Sequence, residues 1–297
     1  MKQTFCTLAF LFYAGFVFAQ DTANPADTTK FWKTGGQIGL SFSQVSLTNW
    51  AAGGENSLST NGLLRLTAVY TKDRSVWDSY ILAGYGFSKQ GDRNFIKNDD
   101  RMELFSKYGY QAGKTWYYTA VINFRSQFTP GYSNPYEQVT RISDFFSPAY
   151  LTASLGMDYK PNEFFSVFIS PATLKMTVVN DDSLSAAGAY GVDSLKTFRG
   201  EGGGFVKVIF KKDNLIKNVN LSTTLDLFSN YFNNPEKIDV NWEVFIAMKV
   251  TKLLTVTLNT QLLYDYDIRF ADENDPLILE DKVQFKEVFG LGLAYSY

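Results

Sequence analysis

The residues able to do chemistry are mostly carboxylates and their cationic partners. Asp265 and Asp267 stand two apart, close in sequence to Asp272, Glu273 and Asp275. Carboxylates so grouped could hold a divalent cation through oxygens, or act as the acid and base of a glycoside hydrolase. The first reading lacks the spacing and glycine of a calcium loop. The second lacks a partner carboxylate placed across a substrate. A solvated acidic loop is the simpler account. The 297 residues contain no histidine, and the single cysteine is Cys6. Ser–His and Cys–His catalysis and Cys/His metal centres are therefore out of reach. The run Gly200-Glu201-Gly202-Gly203-Gly204 is followed by no Lys-Ser or Lys-Thr and opens no helix pattern, so it is not a phosphate loop. Glycines inside a strand mark a bulge, bend or close backbone approach instead. No catalytic residue, metal or cofactor is expected, and no enzymatic activity.

The elements that carry these side chains alternate with period two. From 238 to 250, Ile238, Val240, Trp242, Val244, Ile246, Met248 and Val250 share one parity, against Asp239, Asn241, Glu243, Ala247 and Lys249. Twelve such segments are expected, at 36–47, 56–70, 76–89, 99–112, 115–127, 149–160, 163–179, 197–211, 217–229, 238–251, 253–268 and 282–297. Most are longer than the roughly five or six residues of a mean soluble strand. Thirteen residues tilted by about 40° rise roughly 33 Å, enough for a bilayer core and its margins. Short connections (71–75, 113–114, 161–162, 212–216, 251–252) alternate with long polar ones (48–55, 90–98, 128–148, 180–196, 230–237, 269–281). A transmembrane antiparallel barrel with both termini in the periplasm has that alternation; a soluble sandwich has no reason for it.

Composition agrees with this fold class, all-β and membrane-spanning. Phe 26, Tyr 18 and Trp 5 make 16% of the chain, while charged residues make only 20%. Tyr70, Trp77, Tyr110, Trp116, Tyr118, Tyr159 and Phe164 fall beside short turns. Tyr85, Phe87, Phe124, Phe128, Tyr231, Tyr264 and Tyr266 fall beside long loops, as two interfacial belts would. A formal net charge of −2 excludes a nucleic-acid binder. Met1-Lys2, the apolar run from Leu8 to Phe18 and Ala19 read as a secretory leader over 1–19. Residues 20–35 read as a disordered segment ahead of a single barrel domain at 36–297.

The polar parity carries eleven cations: Arg65, Arg101, Lys107, Arg125, Lys160, Arg199, Lys207, Lys211, Lys249, Arg269 and Lys286. Nine anions accompany them: Asp78, Glu103, Asp158, Glu201, Asp226, Asp239, Glu243, Asp265 and Asp267. A strongly selective pore carries one sign at its constriction, so this mixture describes either a narrow pore or a lumen filled by paired charges.

Ser46-Leu47-Thr48-Asn49-Trp50-Ala51-Ala52-Gly53-Gly54-Glu55-Asn56-Ser57-Leu58-Ser59 resembles the hallmark stretch of a Bacteroidota family known only as a domain of unknown function. Gln127-Phe128-Thr129-Pro130-Gly131-Tyr132, Ser170-Pro171, Phe228-Ser229-Asn230-Tyr231 and Tyr264-Asp265-Tyr266-Asp267 are similar to it too. The resemblance implies an outer-membrane β-barrel and supplies no activity. In the loop motif, Gly53-Gly54 permits a reversal with positive φ, Trp50 caps the lumen or joins the outer belt, and Asn49 bonds loop backbone.

Two functions follow as expectations. The first is a narrow channel passing small polar solutes through the mixed-charge lumen. The second is a non-conducting scaffold or accessory subunit of an envelope secretion, assembly or uptake complex. Expected partners are outer-membrane lipid, the barrel-assembly machinery during biogenesis, and other envelope proteins. The loop 128–148, with Tyr132, Tyr136, Phe145 and Phe146, either folds inward to constrict the pore or presents its aromatics to a partner.

Overall fold

The computed structural model describes residues 31–48, 54–251, 254–271 and 279–296. The leader, Asn49, Trp50, Gly53, the acidic run Asp272, Glu273 and Asp275, and Tyr297 lie outside the described residues.

Alternating β-branched, aromatic and small residues fold into twelve long strands: β1 Trp32–Val45, β2 Ser57–Lys72, β3 Ser75–Gln90, β4 Ile96–Gln111, β5 Trp116–Ser126, β6 Ala149–Asn162, β7 Phe165–Val178, β8 Phe198–Ile216, β9 Val219–Asn230, β10 Ile238–Lys249, β11 Leu254–Tyr264 and β12 Gln284–Ser296. Each pairs antiparallel with its neighbours, and β1 closes the barrel on β12 from Gln37↔Ser296 to Ser41↔Gly292. Closure removes the unpaired strand edge that a bilayer would not tolerate. All twelve expected strands are present. The barrel begins four residues earlier than the spacing suggests, because Trp32 to Gly35 pair with Tyr70 to Thr67. The expected corner at 212–216 belongs to β8, and the reversal falls at 217–218.

Outward side chains such as Leu40, Ile81, Leu104, Ile122, Leu155, Ile169, Phe289 and Leu293 are exposed on the outer wall. An apolar surface this continuous faces lipid. At the turn end the Trp32 ring lies 5.1 Å from Tyr70 and 5.8 Å from Trp77, and Trp116 lies 4.9 Å from Tyr159. At the loop end Phe87 meets Phe95 at 5.4 Å and Phe124 meets Phe146 at 5.4 Å. These rings stand where the two interfacial belts are expected.

The inward face is not uniformly polar, which corrects the sequence reading. Phe105, Val121, Phe168, Phe205 and Phe228 form a buried cluster inside the barrel, with Tyr80 packed against it. They share the parity of Glu103, Lys107, Lys207 and Asp226, so aromatics and charges are interleaved in one lumen. The glycine run 200–204 does mark a bulge, between Gly203 and Phe205, and a Cβ at Gly203 would lie 2.1 Å from the Ser229 carbonyl oxygen.

Replacing outward Ile122 by Arg places a charge on the lipid face near mid-strand. It should destabilise the barrel in vesicles by about 2–4 kcal/mol, measured by reversible denaturant titration. A change within about 0.5 kcal/mol, the usual range for a water-facing position, would contradict the assignment of this face to lipid.

Candidate functional site

The lumen contains three layers of charge. Nearest the turns, Lys107 Nζ lies 2.8 Å from Asp158 and donates to Ser166 Oγ at 3.1 Å, while Ser166 Oγ donates to Asp158 at 2.6 Å. Lys160 bridges Asp78 at 3.3 Å and Asp158 at 3.6 Å. At mid-barrel Arg125 contacts Glu103 at 3.2 Å and, across the lumen from β5 to β9, Asp226 at 2.9 Å. Tyr80 donates to Glu103, and Lys207 reaches Asp226 at 2.7 Å while standing 5.2 Å from the Phe105 ring centroid. Toward the loops Lys175 gathers Asp239 at 2.6 Å, Asp265 at 3.2 Å and Glu201 at 3.9 Å. Arg199 holds Glu201 and Asp267, each at 2.9 Å. Asp265 and Asp267 are therefore spoken for by cations. Glu243 accepts from Gln261, and Lys286 binds Asp99 across the lumen.

Sequence spacing missed two of these partners. Lys175 sits on the opposite parity from Phe168 and Ser170, yet it points inward. The β6–β7 pairing shifts between Leu155 and Met157, and the inward set passes from Ser166, Phe168 and Ser170 to Thr173, Lys175 and Thr177. Pro171 was the visible signal of that irregularity. Asp99 shares the parity of Arg101 and was legible. Lys211 and Lys249 stand exposed at the turn-end mouth. Gly54 has φ +117°, the positive value expected of the loop motif.

Among the cavities of the described residues, two share Gln261. The larger of the two, about 450 Å³, opens among the loops over a floor of Phe105, Phe205 and Phe228 and is bordered by Arg125, Lys175, Asp226 and Gln261. The smaller, about 80 Å³, runs turnward beside β10, β11, β12, β1 and β2, past Asp99, Arg101, Gln261 and Lys286. Its remaining wall is largely small or uncharged: Ser41, Asn61, Thr255, Thr257, Asn259, Gly290 and Gly292.

The loop 127–148 folds over the larger cavity, where Ile142 and Ser143 form part of the lining. Asp100 anchors its start by accepting from the Phe128 and Thr129 N–H groups at 2.8 and 3.0 Å. Arg141 ties it to the loop 179–197 through Asp181 at 2.6 Å, and Tyr190 donates to the Ile142 carbonyl. The Ser183 hydroxyl, the Leu184 N–H and Arg141 together hold the Asp181 carboxyl down at about 2. The Arg141 tie is consequently intact at neutral pH and lost only in strong acid.

A family model described as "Protein of unknown function (DUF3078)" matches residues 42–132. That span includes the Ser46–Ser59 motif and the 127–132 segment. No curated protein matches the sequence. Among solved structures, the COG4313 outer membrane channel from Pseudomonas putida F1 is similar at TM-score 0.39 and 15% identity, covering 91% of this chain and 98% of that one. The translocator domain of autotransporter NalP from Neisseria meningitidis is similar at TM-score 0.35 and 9% identity, covering 89% and 86%. The beta domain of a Bordetella autotransporter, BrkA, is similar at 0.31 and 9%, covering 90% and 99%.

Lys107 and Asp158 are 4% and 1% exposed, and removing Lys107 leaves buried Asp158 with only the Ser166 hydroxyl and the longer Lys160 contact. Lys107→Met should cost about 3–5 kcal/mol of unfolding free energy, and Lys107→Met with Asp158→Leu should recover most of it. Equal losses in the single and double variants would show that the pair is not what Lys107 contributes.

Proposed function

We propose that this chain lies in the outer membrane of a Bacteroidota envelope and passes small polar solutes through a narrow, off-axis channel, without catalysis. The observation that carries the reading is that Gln261 borders both the loop-side vestibule and the turnward limb, which places the two on either side of one side chain. The aromatic cluster and the Lys107, Arg125 and Lys207 pairs fill the β3–β9 side, which leaves the β10–β2 side as the route. Charged groups that satisfy one another make a fixed wall and leave small hydroxyl and amide groups to line the path. The lipid-facing wall and the aromatic belts support the membrane location. Lipid and the barrel-assembly machinery are its necessary partners on this reading.

A non-conducting scaffold for other envelope proteins is favoured by a different observation. The lumen is bridged at every level by ion pairs, and the loops present Val139, Leu195 and Phe232 to solvent at 80%, 80% and 86% exposure. The two readings separate in a planar bilayer. The channel predicts resolved single-channel steps that Gln261→Trp, by filling the junction, reduces at least several-fold. A folded, heat-modifiable barrel that stays silent would overturn the channel and leave the scaffold.

A further inference from the structure

Most inward cations of the barrel have a carboxylate. Lys107, Arg125, Lys160, Lys175, Arg199, Lys207 and Lys286 each make an ion pair. Lys211 and Lys249 are exposed at the turn end. Arg65 lies 4.4 Å over the Tyr80 ring. Arg101 differs from all of these. Among the described residues no carboxylate lies within ion-pair distance of it, and its Nε is buried without a hydrogen-bond partner. It also borders the narrow limb.

The flanking lumenal carboxylates of β4 are both engaged by other cations, Asp99 by Lys286 and Glu103 by Arg125, although Asp99 Oδ2 crowds the same point over Gly84 as Arg101 Nε without reaching ion-pair distance. Of the charged groups bordering the limb, Arg101 and Lys286 stand against Asp99 alone, leaving one positive charge in surplus. The other polar groups there are neutral. Arg101 is half-buried with its Nε fully shielded, and a guanidinium so placed without a carboxylate at ion-pair distance is free to draw an anion. Gly84, opposite Arg101 in the β3–β4 ladder, makes room for it: a Cβ there would come within 3.1 Å of Arg101 Cγ and Nε.

We propose that the narrow limb is an anion-selective passage and that Arg101 is the residue that binds the passing ion, a compact monoanion of halide or small-carboxylate size. This rests on the channel reading above. A fixed cation at a constriction raises the local concentration of anions and repels cations, and it does so most where the walls are of low dielectric. The turn-end and mid-barrel ion pairs balance in sign, and the loop-end layer sets Lys175 and Arg199 against Glu201, Asp239, Asp265 and Asp267, so the positive surplus is confined to the limb at Arg101. The overall mixture of signs thus conceals a throat of net positive charge.

The test is the reversal potential of the purified full-length protein in a planar bilayer under a KCl gradient, with chloride as the probe. The wild type should reverse toward the chloride equilibrium potential. R101K should keep that preference, R101Q should move the reversal toward zero, and R101E should carry it to the potassium side. Heat-modifiable migration checks that each variant is folded, and R101K preserves the test if the neutral variant is not. A cation-selective wild type, or an R101E channel with unchanged reversal, would overturn the inference while leaving the channel standing. A folded wild type with no conductance would overturn both.

Discussion

An ionised side chain that points into a closed barrel can be stabilised only by other inward side chains or by water in the lumen. The rest of this structure follows from that constraint. Lys207 is 2% exposed and Asp158 is 1% exposed, so water has little part in either. Lys207 meets Asp226 of the adjacent strand β9, while other pairs join strands that are not neighbours in the ring. Asp158 of β6 meets Lys107 of β4, Asp226 of β9 meets Arg125 of β5, and Asp239 of β10 meets Lys175 of β7. Losing one member leaves its partner charged in a medium that penalises it, so the interior is cross-linked rather than loosely filled.

The aromatic cluster makes the cross-linking asymmetric. Phe105, Phe168, Phe205 and Phe228 pack where the lumenal charges are densest, and Lys207 lies against the Phe105 ring. Together they occupy the β3–β9 side of the lumen. The remaining side is walled by Ser41, Asn61, Thr255, Thr257, Asn259 and glycines. Small side chains leave space that large ones would close. On the proposed reading, the filled side holds the barrel rigid and the unfilled side conducts. The loops 127–148 and 179–197, tied by Arg141 and Asp181, then set how solutes approach the vestibule.

The fold was legible because its signal is local. Alternation within a strand and the alternation of short with long connections depend only on neighbours in sequence, and the strands announced themselves that way except where Pro171 breaks the parity of β7. The lumen was less legible because its partners are distant. Nothing in the spacing tells Arg125 that Asp226 stands opposite, 101 residues away. Parity counting also fails across a bulge, which hid Lys175 beyond Pro171. The lumenal phenylalanines were hidden by an assumption rather than by the chain, since they share parity with the very charges assigned inward. The aromatic surplus supplies interior packing at Phe105, Phe168, Phe205 and Phe228 as well as the two interfacial belts. The motif at Asn49, Trp50 and Gly53 lies outside the described residues, so only Gly54 of that group has a structural counterpart.

The most direct test of the division between a filled and an open side uses thiol accessibility, since Cys6 is the only cysteine and falls within the expected leader. Asn259→Cys sits on the open wall and Ser166→Cys sits in the filled side, where Ser166 is 8% exposed. A charged, membrane-impermeant thiol reagent should modify Asn259→Cys in the folded barrel and lower its conductance stepwise, while Ser166→Cys stays unreacted. Equal reaction at both positions, or reaction at Ser166→Cys alone, would contradict the account.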